Sequence, residues 1–400
     1  MFTRWHVKRY FMINSNRLAE TFQSLVQIDS VSRNEAQICQ KLESILKSLG
    51  ATTQIDNSQH ATGSNTGNLI ARFSGTVKAA PLLLNAHMDT VEPGNGVKPV
   101  FRDDVFTSDG TTILGADDKS AVAILLEVLT VIQENRLPHG PLEVVLTVCE
   151  EIGLLGAKHL DMNLITATYG YALDATDTHG VITRAPGANK LAFIVHGKDA
   201  HAGAAPEKGI NAISIAAKAI AGLKLGRIDH ETTCNIGIIQ GGIATNIVPP
   251  QVIVQGEVRS HDPLKLKDIT RIMAAGFEDA VKQYEPLSED AGRPSLETHI
   301  ESDFAGTHIP DDHPVVLLVM KAARNIGQDM VTKITGGGAD ANVFFERGIM
   351  TGVLGTGMRD MHTVRESVRL SDMVMTSELL LEIIQVHATG DNKDAAKTMP

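Results

Sequence analysis

The stretch EVVLTVCEEIGLLG, residues 143–156, contains a structural and a chemical signal. Its first half is an apolar run with the length and composition of a buried β-strand. The run ends abruptly in two adjacent carboxylates, Glu150 and Glu151, which add nothing to packing. Neighbouring carboxylates repel each other unless a cation lies between them or one of them is protonated. The pair therefore indicates either a solvated turn or a divided catalytic role, in which one carboxylate binds a metal and the other takes a proton from water.

Strand-like and helical patterns alternate on both sides of this stretch. Apolar residues recur at helical spacing over residues 17–49, ending at Gly50, and again from about Lys119 to Glu134. The strand-like runs are NLIARF, PLLLNAHMD and GYALDA. Alternation of this kind predicts an α/β fold with a mainly parallel sheet, whose ligand sites gather at the carboxyl ends of the strands.

A different pattern occupies residues 187–304. Its strand-like runs are KLAFIVHG, CNIGIIQGG, QVIVQGEVRS and a last run near 294–302, and its helical stretches are GINAISIAAKAIAGL and about 263–284. Two helices on a mixed or antiparallel sheet form an α+β unit of the split βαβ kind. We therefore predict a discontinuous domain of residues 14–186 and 305–388, into which residues 187–304 are inserted as a second domain.

Length and composition are typical of a globular protein with two domains. The 400 residues are 43% hydrophobic and 21% charged, and none of the apolar runs is long enough to span a membrane. A formal charge of -11 argues against nucleic-acid and anionic-membrane partners. The three cysteines lie far apart without a CxxC pair, which argues against a disulfide framework or thiolate zinc site and suits the cytoplasm.

Residues 1–13 and 389–400 are expected to be disordered tails. The first segment is basic and aromatic, but it lacks the long apolar core and small-residue cleavage site of a signal peptide. We interpret it as an extension or as an upstream start before Met12, with a targeting peptide as the alternative. The last segment is polar, as frayed termini commonly are.

Most of the acids and histidines of interest lie near the ends of apolar runs. His87 and Asp89 are two residues apart, so on an extended segment their side chains point the same way. GADDK places paired aspartates, among them Asp117, before a helix, where they either cap the helix or bridge two cations. Asp174 closes an apolar run, and His362 lies in a glycine-rich stretch. Histidine and carboxylate ligands without sulfur suit zinc, manganese or cobalt.

Five motifs resemble, in order and spacing, those of the co-catalytic di-zinc exopeptidase family. They are HMDT, GADDK, EEIGLLGAK, the LD of YALDA, and GTGMRDMHT. The resemblance covers roughly residues 14–388, and the opening helix with LVQIDSVS is most similar to the peptidase T-like branch. It implies a zinc-exopeptidase catalytic domain with an inserted lid and dimerisation domain. It also implies two divalent ions per chain, Zn2+ first with Mn2+ or Co2+ as alternatives, and a homodimer that acts on short peptides.

The same resemblance assigns roles to individual residues. It gives five metal ligands, with His87 and Asp174 on one ion, Glu151 and His362 on the other, and Asp117 bridging both. Glu150 resembles the general base, Asp89 the acid that orients the His87 ring, and the bond from Asp117 to Asp118 the family's cis peptide bond. A water between two ions about 3.5–4 Å apart has its pKa lowered toward neutrality. Glu150 would take its proton and pass it to the leaving amine.

Four further residues resemble substrate-binding positions of the family. His201 is similar to the histidine that reaches the partner subunit's active site and stabilises the oxyanion, although a surface loop would also account for it. Asn246 and Arg259 resemble binders of the substrate backbone and carboxylate, with a surface salt bridge as the alternative for Arg259. Gly337 lies in GGGAD, which resembles a loop that lines the substrate cleft. Ala339 stands in that loop where many relatives have threonine, which removes a hydroxyl group.

Three functional hypotheses follow from these observations. The first is a cytoplasmic di-zinc exopeptidase, peptidase T-like, that releases the amino-terminal residue of tripeptides and other short peptides. The second keeps the metals but cuts N-acyl-amino acids or dipeptides. A free ammonium needs a carboxylate partner in the cleft, whereas an acyl group needs an apolar pocket. The third is a non-catalytic binding homologue, which would normally lack the base or a ligand, and here all six positions are filled.

Overall fold

A computed structural model describes residues 13–288 and 291–390 of the chain. The predicted tails lie outside these residues except for Ile13, Thr389 and Gly390. The chain divides into two compact units, of which the smaller comprises Arg184–Thr307 and Thr335–Gly338 and the larger comprises the remainder. The sequence predicts an insertion of residues 187–304, which is three residues shorter at each end than Arg184–Thr307. It assigns Thr335–Gly338 to the other domain.

The secondary structure alternates between helices and strands along most of the chain. The helices are α1 Ser15–Val26, α2 Ala36–Ser48, α3 Gln59–Thr62, α4 Ala116–Glu134, α5 Leu155–Lys158, α6 Ala212–Gly222, α7 Pro263–Lys282, α8 Pro314–Ile326, α9 Asp340–Glu346 and α10 Leu370–Ala388. The strands are β1 Thr52–Ile55, β2 Leu69–Phe73, β3 Leu82–His87, β4 Val100–Arg102, β5 Val105–Thr107, β6 Leu142–Thr147, β7 Tyr169–Ala175, β8 Gly180–Ala185, β9 Gly187–His196, β10 Gly226–Arg227, β11 Thr232–Gly241, β12 Gln251–Ser260, β13 Ser295–Phe304, β14 Thr307–His308, β15 Val331–Ile334, β16 Met350–Gly355 and β17 Ser367–Arg369.

The large sheet has four parallel strands at its centre. Its order is β1-β2-β6-β3-β7-β16-β8-β14, with β15 beside β8. Strands β6, β3, β7 and β16 run parallel, whereas β1 with β2, β2 with β6 and β16 with β8 pair antiparallel. Strands β3 and β6 are buried along their whole length, as expected for parallel strands covered on both faces. The predicted α/β class with a mainly parallel sheet is confirmed.

Alternate residues of β3 pack into two separate cores. Leu82 and Leu84 belong to the main core, which also includes apolar residues of α1, α4, α8 and α10. Leu83 points to the other face, where it joins a smaller core with Phe344 of α9. Side chains of a strand alternate between its faces, so the continuous apolar run of β3 supplies both cores at once. No described helix is both long enough and apolar enough to cross a membrane.

The smaller unit is a five-stranded sheet with two helices packed on it. Its strand order is β10-β11-β12-β9-β13, and each pairing is antiparallel. Helix α7 begins where the carboxylate of Asp262 accepts the N–H of Leu264 at 2.8 Å, with Pro263 at the first helical position. The rings of Phe193 and Phe277 stack 4.1 Å apart in the core between α7 and the sheet. The predicted split βαβ arrangement is confirmed.

A small third sheet connects two distant segments of the larger unit. Strand β17 pairs antiparallel with β5, which pairs with β4. Ser367 lies opposite Thr107, and Val368 lies opposite Phe106. This pairing fixes the segment after His362 relative to the segment before α4.

Candidate metal centre

The predicted site residues follow the carboxyl ends of the central parallel strands. His87 is the last residue of β3, and Glu150 and Glu151 come shortly after β6. Asp174 is the penultimate residue of β7, and His362 lies in the loop after β16. Because parallel strands end at the same edge of a sheet, the fold collects these side chains at one place.

Asp117, in the first turn of α4, connects the two histidines. Its Oδ1 lies 3.1 Å from Nε2 of His87, and its Oδ2 lies 3.2 Å from Nε2 of His362. The same nitrogen of His362 lies 3.0 Å from Oε2 of Glu151. The ligand atoms of His87, Asp117 and Asp174 lie within 4.8 Å of one another, as do those of Asp117, Glu151 and His362. The five predicted ligands therefore form two overlapping groups that share Asp117.

The Asp117–Asp118 peptide bond is cis, which confirms what the resemblance implied. Asp118 is fully buried and faces β3, where its Oδ2 accepts the backbone N–H of His87 at 3.2 Å. The start of α4 is thereby connected to the end of β3.

Asp89 holds the turn that bears the two glutamates. Its Oδ1 accepts the N–H of Glu150 at 2.9 Å, and its Oδ2 accepts the N–H of Glu151 at 3.3 Å and the hydroxyl of Ser32 at 2.6 Å. Nδ1 of His87 lies 2.9 Å from the carbonyl oxygen of Asp89 and 3.4 Å from its Oδ1. The shorter contact with the His87 ring thus comes from the carbonyl group, while the carboxylate positions the backbone of the glutamate pair.

The acids of the cluster lie in an environment that disfavours their charge. Burial raises the pKa of Glu150 and of Asp174 well above the ordinary carboxyl value, and it also raises the pKa of Glu151. Hydrogen bonds to Asp117 and Glu151 raise the pKa of His362 to about 10. A cation bound beside these acids would therefore favour their charged, deprotonated forms.

The donor set fits a pair of divalent cations. Oε1 of Glu151, a predicted ligand, is a buried oxygen without a hydrogen-bond partner among the described residues. Buried carboxylate oxygens are costly when nothing compensates their charge, and a metal ion is a common compensating group. Two imidazoles and three carboxylates without sulfur match the ligands of zinc, manganese and cobalt.

Glu366 belongs to the same region and was not predicted. It is 1% exposed, and its Oε2 accepts the N–H groups of Leu114 and Gly115 at 2.8 and 2.7 Å. Its Oε1 accepts the N–H of Asp117 at 2.9 Å. Burial raises the pKa of Glu366 to about 7. In the sequence, the only signal is one acid four residues after His362 in a polar loop.

Asp340 was missed as well, although it lies in the motif GGGAD. It is 2% exposed at the start of α9, where it accepts the hydroxyl of Thr147 and lies 3.5 Å from the amide nitrogen of Asn85. Burial raises the pKa of Asp340 to about 6. Asn85 lies on β3, which ends at His87, and Thr147 is the last residue of β6, so Asp340 connects α9 to both strands.

Two predicted substrate-binding residues lie on adjacent segments of the smaller unit. His201 forms an isolated β-bridge with Ile247, and the carbonyl oxygen of Asn246 accepts the N–H of Ala202 at 2.9 Å. The side chain of His201 is exposed, and its Nδ1 accepts the N–H groups of Gly203 and of the following residue at 3.1 Å each. The two residues are therefore neighbours within this unit.

Arg259 is held by three different contacts within the smaller unit. Its Nε and Nη2 donate to the two oxygens of Glu257 at 3.1 and 3.0 Å. Its Nη1 donates to the carbonyl oxygen of Gly336 at 3.4 Å, and its guanidinium carbon lies 5.9 Å from the ring centroid of Phe304. Gly337, the residue after Gly336, donates its N–H to Thr335 Oγ1 at 3.2 Å. Arg259 and the glycine-rich loop are thus brought together.

Two family models match separate parts of the chain. The model described as the peptidase dimerisation domain, M20_dimer, matches residues 184–285. The model described as peptidase family M28 matches residues 68–185. Each match covers less than half of the chain, whereas other relatives align over nearly all of it.

Such relatives include solved structures. The crystal structure of aminopeptidase PepT from Bacillus cereus is 42% identical, covers 94% of this chain and 100% of its own, and has a TM-score of 0.84. A tripeptidase structure from Staphylococcus aureus is 40% identical with the same coverage and a TM-score of 0.87. An uncharacterized protein of Bacillus subtilis, YqjE, is 44% identical over 94% of this chain and 99% of its own length.

More distant relatives also carry peptidase names. Several are named Peptidase T, among them one from Fusobacterium nucleatum that is 26% identical over 74% of this chain and 71% of its own length. The peptidase models, the solved relatives and the cluster of metal-ligand side chains all indicate the same kind of protein. The chain therefore belongs to the peptidase T-like branch of the M20 peptidases and is a metal-dependent hydrolase of peptides.

Proposed function

We propose that this peptidase is a two-metal aminopeptidase that releases the amino-terminal residue of short peptides, tripeptides foremost. The main observation in support is the position of Asp117, whose two oxygens face one histidine each at 3.1 and 3.2 Å. A carboxylate shared in this way is suited to bridge two cations. The substrate class is supported by the names of the solved relatives, an aminopeptidase and a tripeptidase.

The two groups of ligands divide the metal ions between them. His87 and Asp174 would hold one ion, Glu151 and His362 the other, and Asp117 both. Zn2+ is the proposed ion because the ligands are imidazoles and carboxylates, with Mn2+ or Co2+ as alternatives. When bound, such a pair lowers the pKa of a water molecule and polarises the carbonyl group of the substrate.

Glu150 is the proposed general base. It is buried beside the cluster, and its carboxylate lies within 4.8 Å of ligand atoms of His87 and Glu151. Burial raises its pKa, so the side chain accepts a proton from the attacking water readily and can pass it to the leaving amine. Asp89 supports this role because its Oδ1 holds the backbone N–H of Glu150. Glu151 is proposed as a ligand and therefore cannot serve as the base.

The smaller unit is proposed to supply the substrate contacts. His201 of the partner subunit would donate to the oxyanion that forms during attack. Asn246 and Arg259 would bind the substrate backbone and its carboxylate, and Gly337 would let the loop backbone approach the peptide closely. The Nε and Nη2 groups of Arg259 already pair with Glu257, which is the salt bridge of the alternative interpretation, so a substrate carboxylate would have to bind the guanidinium beside this pair.

The proposed assembly is a homodimer that forms through the smaller unit and works in the cytoplasm. The match of residues 184–285 to a peptidase dimerisation domain supports the homodimer. The well-separated cysteines, which are buried free thiols, suit a reducing compartment. Short peptides are the proposed partners, and the acidic net charge of -11 argues against nucleic acids and anionic membranes.

A panel of peptides tests the proposal directly. Dipeptides and tripeptides with free and acylated amino ends would be incubated with the protein and added Zn2+, Mn2+ or Co2+, and the products separated by chromatography. Release of the first residue from free tripeptides is expected. Preferred cleavage of acylated amino acids or of dipeptides would instead assign the chain to a deacylase or dipeptidase. Absence of cleavage with every metal would overturn the proposal.

A further inference from the structure

Glu366 is a buried carboxylate whose hydrogen bonds all go to the segment that bears Asp117. Three backbone N–H groups, those of Leu114, Gly115 and Asp117, donate to its two oxygens at 2.7–2.9 Å. Gly115 has a positive φ of 78° and immediately precedes α4. A carboxylate that accepts several N–H groups acts as a cap, and here it fixes the turn that leads into the helix.

The chain around Glu366 is itself fixed, and it also bears His362. The backbone groups of Arg359 and Ser367 exchange hydrogen bonds at 2.8 and 3.0 Å, which close a loop that contains His362. The N–H of Glu366 donates to the carbonyl oxygen of Thr363 at 3.0 Å. Ser367 then begins β17, whose pairing with β5 anchors the far end of the loop.

We propose that Glu366 is a positioning residue of the metal centre, which holds the segment of Asp117 and the loop of His362 in the register that both metal groups require. The inference rests on the metal centre of the proposed function. Asp117 is the residue shared by both groups, and its Oδ2 lies 3.2 Å from the His362 ring. Without Glu366, three N–H groups would lose their acceptor, and the turn before α4 would no longer be connected to the His362 loop.

Glu366 is not proposed as a metal ligand. Both of its oxygens are occupied by N–H groups, and it is absent from the three clusters of ligand atoms found among the described residues. Replacement of Glu366 would therefore weaken metal binding by displacing the ligands, and not by removing one of them. Partners that orient metal ligands typically change affinity or activity by about 10- to 100-fold when they are replaced.

Two variants separate geometry from charge. Glu366→Gln keeps the size of the side chain, but it replaces one acceptor oxygen with an NH2 group that cannot accept. Glu366→Asp keeps the charge, but it withdraws the carboxylate by one methylene group. If geometry matters, both variants should bind Zn2+ or Mn2+ about 10- to 100-fold more weakly than the wild type, as measured by competition with a chromophoric chelator.

Glu143→Gln is the matched control. Glu143 is also buried, 4% exposed, and its carboxylate also accepts backbone N–H groups, those of Thr166 and Ala167 at 2.9 Å each. It lies near the start of β6, whereas Glu150 and Glu151 follow the other end of that strand. Its replacement should lower stability in a similar way but leave metal affinity at the wild-type value.

The outcomes distinguish this inference from the proposed function. A wild-type protein that binds no divalent metal would overturn the metal centre itself. A wild type that binds two ions, together with Glu366→Gln and Glu366→Asp variants of unchanged affinity, would overturn only the role of Glu366. So would a loss confined to Glu366→Gln, because charge and not geometry would then be responsible.

Hydrogen exchange of the metal-free wild type gives a measurement that does not depend on the folding of any variant. The amides of Leu114, Gly115 and Asp117 should exchange slowly, because Glu366 holds all three. Rapid exchange of these amides in an otherwise protected larger unit would show that Glu366 does not hold the segment, and it would overturn the inference.

Discussion

Replacement of Glu150 by glutamine separates catalysis from metal binding. The side chain is 8% exposed, and glutamine matches glutamate in shape and volume, so the change opens no cavity. Only the ability to accept and return a proton is lost. The ligand groups that share Asp117 do not include Glu150, so the variant should retain its full metal content.

The expected loss of rate can be stated as a free energy. A positioned general base contributes about 10²- to 10⁴-fold to a reaction, which corresponds to roughly 2.7–5.4 kcal/mol of transition-state stabilisation. Burial raises the pKa of Glu150, which means that its charged form is disfavoured in the folded protein. The neutral amide removes this penalty, so the free energy of unfolding of the metal-free variant should not decrease.

The assay combines kcat on a tripeptide with metal analysis of the same preparation. Glu151→Gln is the companion variant, because it removes a proposed ligand and should lose metal together with activity. The geometry alone would also allow Glu150 to bind a metal, since it forms a cluster with His87 and Glu151. A Glu150→Gln protein that loses metal, or that keeps more than about a tenth of the wild-type kcat, would refute its assignment as the base.

Three further predictions concern the smaller unit. His201→Ala should lower kcat by about 10²- to 10³-fold at constant metal content, as loss of one oxyanion donor does, and an unaltered rate would make His201 only a loop residue. Arg259→Ala should raise KM roughly tenfold to hundredfold for peptides with a free carboxyl end, because it removes a charged hydrogen bond of about 1.5–3 kcal/mol, but not for peptide amides. An equal rise of KM for peptides with a free carboxyl end and for peptide amides would contradict carboxylate recognition by Arg259. Gly338→Ala should lower the free energy of unfolding in urea by about 1–3 kcal/mol, because its Cβ would lie 2.4 Å from the Phe304 ring. Gly336→Ala, which has open space around its Cβ position, should change little, and equal effects of the two would refute the packing argument.

Much of the fold could be predicted because its signals are local. The buried parallel strands appear in the sequence as continuous apolar runs, and β3 and β6 occupy those runs. Parallel strands all end at one edge of the sheet, so the acids and histidines near these ends had to converge. The predicted ligands from His87 to His362 do lie together for this reason.

Features that depend on distant partners could not be predicted in this way. The sequence predicts a helical pattern over residues 17–49, yet the structure ends α1 at Val26 and begins α2 at Ala36. Between them, Val31 forms a bridge with Thr90, a partner that the local pattern does not reveal. The break therefore coincides with a tertiary pairing.

The two missed carboxylates have a similar explanation. Glu366 accepts N–H groups from residues about 250 positions earlier, and Asp340 accepts from Thr147, which is 193 positions away. A single acid in a polar loop is ordinarily solvated, so neither had a local pattern that would mark it as buried. The short strands β5 and β17, which fix the position of Glu366, also pair across a long interval.

The position of β16 in the large sheet has a consequence for synthesis on the ribosome. This strand lies between β7 and β8, yet it is translated after the whole of the smaller unit. The smaller unit is contiguous except for four residues. It can therefore fold while the large sheet still lacks one of its inner strands. His362 emerges later still, and a nascent chain therefore lacks the full set of proposed ligands until that residue has been synthesised. Peptide hydrolysis would then begin only after the smaller unit and every strand of the large sheet have been synthesised.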